Sequence, residues 1–166
     1  MDPKRIIIVV ISALFLAGGI KSVYAVERTQ KTGLFSMDIP EGWRWVEYAQ
    51  EIVITYPDGN NVAIDIQMVP SQKLSPAQIK KTIIDSDQAM KKGIIAHQGS
   101  LIDDKEIKVD GVFATQMDFK ASPQNPVFVT NISFFNKGYA FTITYGSRDE
   151  KMRLVLDDVV ATFKFR

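Results

Sequence analysis

The stretch VFVTNISFFNKGYAFTITY (Val127–Tyr145) decides how this chain is read. Two β-branched and aromatic runs, Val127–Phe135 and Tyr139–Tyr145, flank Asn136-Lys137-Gly138. Such runs are strand formers, and a short polar connection with a glycine folds one back on the other. The spacing predicts an antiparallel hairpin with a three-residue loop, a type I turn closed by a G1 bulge. Immediately downstream, Ser147-Arg148-Asp149-Glu150 predicts a capping box, with acidic residues at the positive end of a helix. Met152, Val155, Leu156, Val159, Val160 and Phe163 then recur at helical spacing and form one apolar face. Phe163-Lys164-Phe165 closes the chain with a short strand.

Working upstream, Ile107–Phe119 reads as two strands punctuated by Asp110-Gly111. Ile94–Ile102 fits helix and strand equally. Ser75-Pro76-Ala77-Gln78 is a capping box with proline at the first helical position. It predicts a helix to about Lys92, with Gly93 just past its end. Ile79, Ile83 and Met90 form its apolar stripe, and Lys80, Lys81, Asp85, Gln88 and Lys91 a solvated face. Earlier still, Glu51–Tyr56 and Val62–Val69 flank Pro57-Asp58-Gly59-Asn60-Asn61, a second hairpin. Val62, Ile64, Ile66 and Met68 share one face of a strand, Asp65 and Gln67 the other, which is period two with one side buried. Gly33–Ile39 and Trp43–Tyr48 are two further strands around Pro40-Glu41-Gly42. Consecutive hairpins imply an antiparallel sheet, and two amphipathic helices must cover it. The fold class is therefore α+β, an antiparallel β-sheet flanked by helices as an α/β/α sandwich, in one domain over residues 33–166.

Residues 1–25 read as an address. Lys4 and Arg5 precede an apolar run, Ile6–Ile20, too short for a spanning helix of about 20 residues. Val23 and Ala25 suit the −3 and −1 positions of a signal peptidase, so cleavage is expected after Ala25. The protein is then exported, periplasmic or extracellular, and not integral to the membrane after signal removal. Retention of the run as an anchor is the alternative reading. Val26–Thr32 is a polar, flexible lead.

The 166 residues carry a net charge of +1, and 46% are hydrophobic, which suits a globular domain and not a disordered chain. Lys4, Arg5 and Lys21 against Asp2 leave residues 26–166 at −1. No basic stripe marks a nucleic-acid binder. The absence of cysteine excludes disulfides, thiolate metal sites, cysteine nucleophiles and lipidation at cysteine. His97 is the only histidine, and no partner for acid–base work is assignable to it. Asp103-Asp104-Lys105-Glu106 lacks the spacing and glycine of a calcium loop and reads as a solvated turn. Asp149-Glu150 has a role at a helix start, and Asp157-Asp158 faces away from the apolar stripe, so neither reads as a catalytic pair. Trp43 and Trp45 lie on one face of a strand, as core packing or as a ligand platform. No glycine-rich phosphate loop is present.

Phe35-Ser36-Met37-Asp38-Ile39-Pro40-Glu41-Gly42-Trp43 resembles the opening strand and turn of the PsbP-like superfamily. Val109-Asp110-Gly111-Val112-Phe113-Ala114 is similar to its strand–glycine–strand step. The hairpin from Val127 to Tyr145, with the helix ending at Thr162-Phe163, resembles its C-terminal half. The superfamily includes the photosystem II protein PsbP, DcrB-like and LpqN-like bacterial proteins, and a Ran-binding factor. The resemblance implies an antiparallel sheet between helices and a non-catalytic accessory or binding role. It carries over no catalytic, cofactor or metal residue.

Two expectations follow. The first is a non-enzymatic exported accessory protein, an interaction or assembly module whose partner is another envelope protein, with no cofactor and no nucleic acid. The second is a periplasmic binder of a small ligand or cation, through Trp43 and Trp45 or through Asp103, Asp104 and Glu106. A carboxylate-based hydrolase is a distant third.

Overall fold

Residues of opposite character alternate along the long strands, and the side on which the apolar set lies fixes where the rest of the chain packs. A computed structural model describes residues 29–31, 33–56, 63–70, 73–121, 123 and 127–166. The expected signal at 1–25 and the loop at 57–61 lie outside the described residues.

The elements are β1 (Thr29–Lys31), β2 (Phe35–Asp38), β3 (Arg44–Glu47), β4 (Glu51–Thr55), β5 (Ala63–Pro70), α1 (Pro76–Ala96) and β6 (Ser100–Val109). There follow β7 (Val112–Lys120), β8 (Phe128–Asn136), β9 (Tyr139–Ser147), α2 (Glu150–Ala161) and β10 (Lys164–Phe165). Seven strands form one antiparallel sheet in the order β3-β4-β5-β9-β8-β7-β6, and a small second sheet runs β1-β2-β10. The class is α+β, as the sequence implies.

Register assigns the two faces. Ile64, Tyr145 and Thr130 stand in line across β5, β9 and β8, as do Ile66, Ile143 and Ile132. This inner face carries Ile52 and Ile54 of β4, Phe141 of β9 and Phe134 of β8. Met152, Leu156, Val159 and Val160 of α2 pack on it, with Phe35 and Met37 of β2 and Phe163 beyond the helix. Five phenylalanines knit these layers. Phe35 stacks on Phe163 at 4.7 Å between ring centres, Phe134 stacks on Phe141 at 5.1 Å, and Phe165 meets Phe163 edge-on at 5.2 Å. Each such pair adds about 0.5–1.5 kcal/mol beyond area burial. The opposite face takes α1, which packs on β6, β7 and β8. The helices therefore sandwich the long sheet.

Several local expectations shift by a few residues. α1 runs through Gly93 to Ala96, because the stop signal lies in His97-Gln98-Gly99. Gln98 takes φ +61°, and the Gly99 amide donates to the Ile94 carbonyl at 2.8 Å. A Cβ on Gly99 would sit 2.8 Å from the Lys120 carbonyl oxygen, so glycine is required by close approach. The capping box at Ser75 is as expected: the Ser75 hydroxyl accepts from the Gln78 amide, and the Gln78 side chain accepts from the Ser75 amide. At α2 the cap is Asp149 and not Ser147. Asp149 accepts from the Lys151 amide at 2.9 Å, while Ser147 stays in β9 and accepts from the Asp149 amide. The β8–β9 loop is two residues, not three. Asn136 pairs with Tyr139, and Lys137 and Gly138 take φ +48° and +83°, a type I′ turn. The right-handed strand twist selects this turn even with lysine in its first position. Asp110 and Gly111 repeat it, at +47° and +83°.

Candidate functional site

The β6 strand is built by its turn. The pair Val109↔Val112 flanks the two-residue loop, so Val109 exchanges main-chain hydrogen bonds with β7. Successive residues alternate direction, which points the amide and carbonyl groups of Lys108, Glu106 and Asp104 outward. β6 stands last in the sheet, and no described strand pairs with that edge. A register shift between Leu101 and Asp103 marks a bulge. Edge strands are usually short; this one has ten residues.

Apolar surface collects at the sheet edges. Among the described residues six large hydrophobic side chains are exposed, and four lie there. Val46 and Tyr48 belong to the β3 edge. Leu101 and Ile102 belong to β6, and Ile95 (70% exposed) lies in the last turn of α1. The sixth is Leu154 on α2.

The acidic segment is a strand and not a solvated turn, so the pleat divides it between faces. Asp104 pairs with Lys91 of α1, and Glu106 with Lys80 at 2.9 Å. Asp103 faces the other way, to Lys105 at 3.1 Å. That lysine, with the Asp104 amide, holds the Asp103 carboxyl below the usual carboxylate range. These carboxylates do not converge, and among the described residues no group of three or more histidine or acidic side chains could hold a metal.

Under and beside α1, the outer face is polar. Asn131 donates to the Thr144 hydroxyl at 2.8 Å, and the Ser133 hydroxyl donates to Asn131 Oδ1 at 3.3 Å. Asp87 of α1 is only 5% exposed. Burial pushes its carboxyl up, with the Thr115 side chain opposing, Asp104 adding and Lys91 opposing. Beyond the helix, Glu51, Val53, Gln67 and Thr142 are half-buried. There Asp65 stands opposite Val53 and Thr144 in the ladder. Its Oδ1 is buried and accepts no hydrogen bond among the described residues. Burial first, and then the Glu51 carboxylate beside it, push the Asp65 carboxyl up to about 7, with Gln67 opposing. Sequence reading placed Asp65 on the wet face but missed Asp87 and the Glu51–Asp65 pair. A single carboxylate in a strand or helix carries no signal of what another strand brings beside it.

The remaining candidates each occupy a defined place in the fold. Trp43 is core, edge-on to Tyr56 at 5.6 Å, and Trp45 is half-buried against Phe35, its indole donating to Glu47. The two rings form no open platform. His97 caps α1 and is exposed. Glu150 lies in the first turn of α2 beside its cap. Asp157 does not face away. It turns toward the sheet and accepts from the Tyr145 hydroxyl at 2.7 Å. Burial, reinforced by Asp157, pushes that phenol well above its ordinary range. Asp118, near it, accepts from the Thr130 hydroxyl at 2.6 Å and from Gln116 at 3.0 Å.

This geometry has solved counterparts. The solution structure of cyanobacterial PsbP from Synechocystis sp. PCC 6803 matches with a TM-score of 0.60 at 11% identity, covering 92% of this chain and 99% of that one. The fold is PsbP-like. LpqN of Mycobacterium tuberculosis, described as involved in cell envelope biogenesis, shares it at TM-score 0.52 and 16% identity, over 79% of this chain and 82% of that one. The Ran-binding protein Mog1p of Saccharomyces cerevisiae shares it at 0.53 and 11%, over 86% and 96%. No family model matches the chain, and no curated protein matches it significantly in sequence. At these identities the likeness is one of fold. Among the described residues, no helix is long and apolar enough to cross a membrane.

Proposed function

We propose that the chain is a non-catalytic accessory protein of the cell envelope that binds an extended segment of another envelope protein along β6. The observation that carries this reading is the edge itself. Among the described residues, the ten-residue β6 leaves its outward main-chain groups without a strand partner, the Asp104 amide alone being taken up by the Asp103 side chain, and Leu101 and Ile102 are exposed at its start. Main-chain pairing supplies affinity in such additions, and apolar side chains supply specificity. Exposed apolar groups at a sheet edge mark an interaction surface. Support for the envelope comes from the leader-like residues 1–25 and from the fold shared with LpqN. A non-enzymatic role fits the separate structural duties of Asp103, Asp104, Glu106, Asp149 and Asp157.

The test is in-cell photo-cross-linking from position 102, with position 154 as the control surface, read by mass spectrometry. A partner captured from 102 alone is expected. Glu106→Pro is expected to abolish that capture, because proline removes an outward amide, while Glu106→Ala retains it. Equal capture from both positions, or capture surviving the proline, overturns the reading.

A further inference from the structure

We propose that Glu51 and Asp65 form a proton switch: one proton shared between them holds the β3–β4 edge of the long sheet closed, and its loss loosens that edge. The register sets the geometry. Glu51 stands opposite Gln67, and Asp65 opposite Val53, so the two carboxyls are diagonal neighbours on the same face. Asp65 Oδ1 is buried without a donor, which disfavours a charge there. Among the groups that act on the Asp65 carboxyl only the Gln67 side chain opposes its rise, and β8 and β9 bring polar, uncharged groups. β9 presents Thr142 and Thr144, β8 presents Asn131, and β5 itself presents Gln67. From β3 come Val46, opposite Val53, and Arg44, exposed and opposite Thr55. α1 packs on β6, β7 and β8, where Lys80 pairs with Glu106 and Lys91 with Asp104, Lys81 pairs with Asp85 within the helix, and the buried Asp87 meets Thr115 of β7. The lifted Asp65 carboxyl agrees with this arrangement. The element it controls is the thinnest part of the sheet, β3 with four residues and β4 with five. Like charges across a strand pair destabilise it.

The direction follows from linkage. Asp65 binds its proton more tightly when β4 is docked, so docking is favoured at low pH. That advantage is lost as pH rises from the ordinary value of 3.8 toward about 7, and the loss levels off above it. The switch is independent of what binds along β6.

The experiment is hydrogen exchange of the full chain at pH 5 and pH 7, read as protection of Ile52–Ile54 relative to Val129–Phe134 in the same sample. This ratio cancels the intrinsic pH dependence of exchange. In the wild type it is expected to fall roughly fivefold or more between the two pH values. Asp65→Asn, a neutral isostere, is expected to remove the fall, and Glu51→Gln to reduce it. A ratio that does not move in the wild type, or that falls equally in Asp65→Asn, overturns the proposal. Should Asp65→Asn fail to fold, Glu51→Gln decides together with a carboxyl NMR titration of the wild type. An Asp65 signal that titrates in the ordinary carboxylate range also overturns it.

Discussion

Single atoms set hard limits at a few positions. Gly146 lies in β9 where a Cβ would stand 2.5 Å from the Phe128 carbonyl oxygen. That oxygen belongs to the backbone of a central strand and cannot swing aside. Gly146→Ala is expected to destabilise by about 1–3 kcal/mol, since β8 and β9 must separate to admit a methyl group. Urea unfolding of the two proteins checks this; a change within error would show that the strands yield. Nothing in the sequence distinguishes Gly146 from a loop glycine, and it follows a run of good strand formers. Its requirement comes from β8, seventeen residues or more away along the chain in register terms. Tyr145 is similar: its ring belongs to the apolar alternation, but its hydroxyl is satisfied by Asp157 of a helix.

Elements were legible where their signals are local. Ser75 and Gln78 form both bonds of the capping box that their spacing implies. Met152, Leu156, Val159 and Val160 are buried as their periodicity implies. The start of α2 was not legible. Two oxygen-bearing residues, Ser147 and Asp149, compete for the cap, and pairing of Ser147 with Phe128 draws it into β9. Asp149→Ala is therefore expected to cost about 1 kcal/mol of stability, whereas a true capping serine would make Ser147 the costly site. Thermal melts at fixed pH compare the two alanine variants, and a larger loss at Ser147 would contradict the assignment. β6 was obscured for a different reason. Its charges at 103–106 break the alternation by which strands are recognised, and they are tolerated there because the strand is an edge.

At the scale of the molecule, the inner face of the long sheet, α2 and the small sheet share one core. Phe163 sits at their junction, against Phe35, Phe134, Phe141 and Phe165. Phe163→Ala is expected to cost about 3–5 kcal/mol. Because one side chain touches both sheets, the loss should appear as a single cooperative transition at lower denaturant. Separate unfolding of the β1-β2-β10 sheet would show that the layers are not coupled. The sequence by itself determined the class of the fold, its helices, its hairpins and the apolar side of the strands. Those properties rest on periods of 2 and 3.6 residues and on turn chemistry, all readable within a few residues. Only the tertiary structure decided that β5 lies beside β9, that β6 is left at an edge, and that Glu51 and Asp65 stand together. Those juxtapositions depend on strand order and register between distant segments, and no local period encodes them.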